Sequence, residues 1–173
     1  MAGTFHDLTE EFAALFRRDL ARLLQQINAF PDDASLWKVV PGVTNCAGNL
    51  VLHLEGNLRE YVGRRFGGVA YQRDRPSEFS RKELSRADLA GRVESLTGIP
   101  EVVGRISEKQ WFSDCGEDPM PGGRSMGQFL LSIYGHFHYH LGQIDYHRRL
   151  VTRSGATVGA LAIPELSTAS KVA

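Results

Sequence analysis

From Ser125 to Leu150 the chain carries no proline, and its apolar residues recur at intervals of three and four. Only a helix aligns such residues on one side. Ser125 and Gln128 have the pattern of a capping box at its start. With about 100° between successive residues, Leu130, Ile133, Phe137, Leu141 and Ile144 form one apolar stripe. His136, His140, Gln143 and His147 form a second stripe beside it. His136 and His140 lie one turn apart, roughly 6 Å along the axis. One helix presents two imidazoles to one metal ion with this spacing. The same spacing also suits half-buried histidines that each bond a neighbour, so the pair by itself leaves both readings open. His138 points to the opposite side, and His147 is roughly 10 Å beyond His140 along the axis, too far to share an ion. Gly135 and Gly142 fall together on a third face, near Tyr139 and Tyr146. Each glycine costs about 1 kcal/mol relative to alanine in a helix. A close backbone approach is therefore expected there, either within the fold or across a two-fold dimer.

A helix of this kind needs other amphipathic helices to cover its apolar stripe. Leu8, Phe12, Leu15, Phe16, Leu20, Leu23, Leu24 and Ile27 predict a first helix from Thr4 to Ala29, ended by Phe30-Pro31. Leu36 to Gly42 reads as a loop packed on one end of the helices, with Trp37 as a lid on the core or the wall of a pocket. A second helix is expected from a cap at Asn45 to about Phe66. It carries Leu50, Leu54, Leu58 and Tyr61 on one side and a polar stripe of Cys46, Asn49, His53, Asn57, Glu60 and Arg64 beside them. His53 suits either a ligand facing His136 and His140 or a core histidine bonded to a backbone or asparagine partner. Residues 69–80 read as an exposed crossover whose charges, Arg73, Asp74 and Arg75 among them, are solvated. A third helix is expected from a cap at Ser85 to Ile106, broken near Gly98-Ile99 by Pro100. Residues 107–124 form a second long connection anchored by Trp111 and Phe112. The fold class expected is all-α, a four-helix bundle with long crossover loops. It forms a single domain over residues 1–153, followed by a tail over 154–173 that is extended or disordered.

Lys plus Arg and Asp plus Glu both number 20. No basic face is therefore expected for nucleic acid. No run of about 18 apolar residues is present to span a membrane, and the first residues lack the pattern of a secretory leader. The two cysteines, Cys46 and Cys115, form no Cys-x-x-Cys unit. A cytoplasmic protein with no membrane or nucleic-acid partner is the expectation.

Two segments carry a resemblance. Asn49-Leu50-Val51-Leu52-His53-Leu54-Glu55-Gly56-Asn57 and His136-Phe137-His138-Tyr139-His140-Leu141-Gly142-Gln143-Ile144 resemble the DinB-like family of metal-binding four-helix bundles. That family is related to bacterial thiol-dependent transferases and mycothiol-dependent maleylpyruvate isomerases. The resemblance runs from Leu8 to Leu150 and implies that His53, His136 and His140 hold one divalent metal ion, in a chain that forms a homodimer. Three neutral imidazoles leave an open coordination position, the pattern of a catalytic site. Zinc and nickel both suit such ligands. Asn57, Glu60 and Gln143 share faces with the ligands and are the candidates to support them. Glu60 and His147 are candidates for a general base, and no catalytic residue is assigned. The function implied is a metal-dependent transferase using a low-molecular-weight thiol, or a hydrolase, acting on a small-molecule substrate. The alternatives are a non-catalytic metal-binding or stress-response protein with a homodimeric bundle, and a helical interaction module with incidental histidines.

Overall fold

The computed structural model describes residues 3–116 and 123–159. These residues are helical or connecting, with no strand among them; one isolated bridge joins Asp114 to Ser125. Helix α1 (Phe5–Asn28) starts where the pattern predicts. The Thr4 hydroxyl accepts from the Asp7 N–H, and the Asp7 carboxylate accepts from the Thr4 N–H. Phe12, Phe16, Leu20, Leu23 and Ile27 are buried along it. A helical turn, α2 (Asp33–Leu36), then forms under an Asp32 cap and runs into the first residue of the expected loop. Trp37 follows it and acts as a lid. Its indole N–H donates to the Leu84 carbonyl, and its ring lies on Gly48, where an added Cβ would come within 2.4 Å of it.

Helix α3 (Ala47–Asn57) is buried along its whole length. Its cap position is Cys46, not Asn45, and no side chain caps it; the Cys46 thiol instead bonds the Asn49 side-chain oxygen. The helix continues as a π-helical segment, Leu58–Arg64. The chain then turns at Gly68, whose φ of 66° suits glycine. The expected crossover contains a helix of its own, α4 (Arg75–Ser80), capped by Asp74 with Pro76 in its first turn. The expected third helix is two: α5 (Arg86–Glu94), held by a Ser85–Asp88 capping box, and α6 (Gly98–Gly104). Pro100 falls in the first turn of α6, where a missing N–H leaves no bond unmade. A short α7 (Glu108–Trp111) follows; Trp111 packs on Phe5 and Phe12, whereas Phe112 is exposed. Helix α8 (Met126–Thr152) begins with the Ser125 hydroxyl accepting from the Gln128 N–H.

Helix α1 packs against α5, α6 and α8, while α3 packs against α4, α5 and α8. The polar stripes of α3 and α8 therefore face one another at the edge of a shared core. Of the apolar stripe on α8, Leu130, Ile133, Phe137 and Ile144 are buried and Leu141 is partly so. On the far side of α8 the buried Asp19 carboxylate accepts from Arg18 Nε at 2.9 Å and Tyr134 Oη at 2.6 Å, and lies 2.9 Å from His138 Nε2. Burial alone would raise the Asp19 pKa, but the bonds from His138, Arg18 and Tyr134 outweigh it and lower the value to about 2. Arg148, fully buried, bonds Gln26, Asp145 and the Ala156 carbonyl, and Gln26 also bonds the Val158 carbonyl. The tail is thus docked as far as it is described, and residues 160–173 lie outside the described residues. No helix is long and apolar enough to cross a membrane among the described residues.

Candidate metal centre

The contact between α3 and α8 brings His53 against His136 and His140. The ring centroids lie 5.3 Å apart for His53 and His136, 5.1 Å for His53 and His140, and 4.4 Å for His136 and His140. One nitrogen from each ring falls within 4.8 Å of the other two. The Nε2 atoms of His53 and His136 are 3.1 Å apart. Two nitrogen ligands on a tetrahedral zinc, each at about 2.0 Å, sit roughly 3.3 Å from one another. The donor set and its spacing therefore fit a single divalent ion.

The outer nitrogens show which atoms are available. His53 Nδ1 is 2.9 Å from Glu78 Oε2. Burial pushes the Glu78 pKa up, but His53 and Arg73 outweigh it and hold the carboxyl below its ordinary range. An ionised carboxylate only accepts, so Nδ1–H donates and the Nε2 lone pair faces the Asn57 amide and His136. His140 Nδ1 is 2.7 Å from the Gln143 side-chain oxygen, which fixes that ring the same way. His53 and His140 are buried and His136 is half-buried. Burial depresses the His136 pKa to about 4, with further lowering from His140, His53 and Arg73, and burial also lowers that of His140. These two rings are therefore neutral at pH 7, as ligation requires.

The three supporting candidates from the polar stripes fare differently. Gln143 bonds a histidine's outer nitrogen. Asn57 Nδ2 lies 3.1 Å from His53 Nε2, so its amide touches the inward atom of the ring and not the outer one. Glu60 is held by Arg64. It sits in the π-helical segment, where each turn takes in about one more residue, and the phase of the polar stripe is lost there. His138 is engaged by Asp19, and His147 donates from Nε2 to the Lys38 carbonyl at 2.8 Å. Burial lowers the His147 pKa as well.

The expectation of a solvated crossover over 69–80 is corrected. Arg73 Nε and Nη2 reach the two oxygens of Glu78 at 2.6 and 2.8 Å, and Glu78 is 5 % exposed beneath them. Sequence reasoning missed Glu78. The available signal was Asp74-Arg75-Pro76-Ser77-Glu78, a cap followed by proline and an acid in the first turn.

Beside His140 a cavity of about 470 Å³ opens between residues 42–45 and α8, lined by Thr44, Asn45, Gln143, Tyr146 and His147 among others. Apart from His140 and His147, its wall carries no acidic or basic side chain. The chain matches no family model, and no curated protein is significantly similar to it.

Proposed function

We propose that the protein is a DinB-like four-helix bundle in which His53, His136 and His140 bind one zinc or nickel ion, and that it is a metal-dependent transferase or hydrolase for a small molecule. The observation that carries this reading is the convergence of three imidazoles, two of them with their outer nitrogens already bonded to Glu78 and Gln143. When bound, such an ion supplies Lewis acidity at its open position, to a water or to a low-molecular-weight thiol. The chain's own contribution is to keep His136 and His140 neutral, to aim the three rings, and to offer beside His140 a cavity without Asp, Glu, Lys or Arg in its wall for the substrate. Metal analysis of the purified protein is expected to give one zinc or nickel per chain, and the loaded form is expected to bind a small thiol in a calorimetric titration. No ion retained after reconstitution would sink the metal reading. An ion retained without thiol binding would favour the non-catalytic alternative or the hydrolase.

A homodimer is part of this proposal and rests on one face of α8. Leu131, Tyr139, Tyr146 and Leu150 are exposed there. A Cβ added at Gly135 or Gly142 would meet nothing within 4 Å. The close approach expected at these glycines thus has no partner within the chain among the described residues, which supports a second copy as the partner. Gly142→Leu is expected to halve the mass in solution, read by light scattering, while the circular dichroism spectrum stays unchanged. An unaltered dimer, or a wild type that is monomeric, would end this part of the proposal.

A further inference from the structure

Glu78 reaches the histidine cluster from outside the two helices that build it. We propose that Glu78, clamped by Arg73, is the positioning residue that selects which nitrogen of His53 faces His136 and His140. The consequence for metal affinity rests on the metal reading above; the selection of the tautomer does not, and is measurable without an ion.

Both carboxylate oxygens are committed. Oε1 accepts from Arg73 Nε at 2.6 Å, and Oε2 accepts from Arg73 Nη2 at 2.8 Å and from His53 Nδ1 at 2.9 Å. The fork of the guanidinium fixes the plane of the carboxylate. The carboxylate is kept on the outer side of the His53 ring, where it orients the ring without becoming a ligand itself. A neutral imidazole has one N–H, and placing it on Nε2 would set two lone pairs against each other at Nδ1 and Oε2. The neutral ring therefore carries its proton on Nδ1, and its Nε2 lone pair faces His136 and the Asn57 amide, each at 3.1 Å.

Helix α3 is shaped to receive this carboxylate. Asn49, His53 and Gly56 lie on one face of it, at intervals of four and three. Asn49 Nδ2 donates to the carbonyls of Glu78 at 2.9 Å and Arg81 at 3.0 Å, which ties α4 down. A Cβ on Gly56 would lie 2.2 Å from Glu78 Oε1, so glycine leaves the carboxylate in its place and a larger residue displaces it. Glu55 provides a matched comparison on the same helix. It is also buried, and it bonds Arg59 at 2.9 Å and Arg92 at 2.6 Å, but its contacts do not include a histidine.

The test uses long-range proton–nitrogen correlations of the imidazoles in the metal-free, nitrogen-15-labelled protein, together with zinc affinity by competition with a chromophoric chelator. Wild type is expected to show His53 protonated at Nδ1. Glu78→Gln retains the shape but loses the charge, and its amide can present either an acceptor or a donor to His53. It is expected to mix the two tautomers and to weaken zinc binding about 10- to 100-fold. Gly56→Ala, which pushes the carboxylate aside, is expected to shift the tautomer the same way. Glu55→Gln is expected to leave both readouts at wild-type values. Wild-type tautomers in Glu78→Gln and Gly56→Ala would overturn the proposal, as would an equal loss in Glu55→Gln. A wild type that binds no zinc would remove the metal reading, and the tautomer spectra would still decide the role of Glu78.

Discussion

Alanine in place of His53, His136 or His140 is expected to raise the dissociation constant for zinc by more than about a hundredfold, the upper end of what losing an outer partner costs. Each substitution removes one of three imidazoles whose nitrogens lie within 4.8 Å of one another. The two that remain cannot close the same coordination shell. His138→Ala and His147→Ala serve as internal controls, because those rings are committed elsewhere, to Asp19 and to the Lys38 carbonyl. Both controls are expected to lower thermal stability while keeping the ion. The measurement is metal content after dialysis against a chelator, with circular dichroism to verify that each variant is folded. Full metal retention in the His53 variant would show that the ion is held somewhere else.

Asp19→Ala is expected to produce the largest loss of stability, about 3 kcal/mol, because removing one member of a buried charged cluster strands the others. Arg18, Tyr134 and His138 would all lose their common acceptor. The same carboxylate sets a pH dependence. Its pKa in the folded chain is about 2, below the ordinary 3.8. A group with a depressed folded pKa stabilises fully above its unfolded value, and that stability is lost as pH falls through the folded value. The contribution, about 2 kcal/mol from a shift of this size, is therefore present at pH 5 and fades between pH 4 and 2. Urea melts of wild type and Asp19→Asn should differ most at pH 5 and converge as the pH approaches 2. A gap that stays constant across that range would mean that the charge of Asp19 is not what the cluster uses.

The legible parts of the sequence were those whose signal is local and periodic. Helices α1 and α8 announce themselves by capped starts and apolar spacing. His136 and His140 follow because they share one turn of α8. His53 required a second helix with a matching stripe, and the contact of α3 with α8 brings the three together. Gln143 was legible for the same reason of phase. Glu60 was misplaced because the phase itself changes after Asn57, where the π-helical segment begins. Glu78 was hidden by its composition. Arg73, Asp74, Arg75 and Glu78 together look like a solvated run, and no periodicity reveals that Arg73 and Glu78 are paired and that Glu78 is buried. The information that would place them is tertiary: Asn49 and Gly56 on α3 shape the seat, and neither contact leaves a trace in local spacing.

His53 and His136 stand 83 residues apart in the chain, whereas His136 and His140 share a turn. Local contacts form early in folding and distant ones late. A nascent α8 can therefore offer an ion only its own pair of imidazoles, a weak and exchangeable hold. The third imidazole arrives when α3 docks, and α3 brings Asn49 and Gly56 to seat the Glu78 carboxylate. On the proposed metal reading, loading is coupled to the final docking of the helices, with loose capture by a segment followed by locking in the assembled fold.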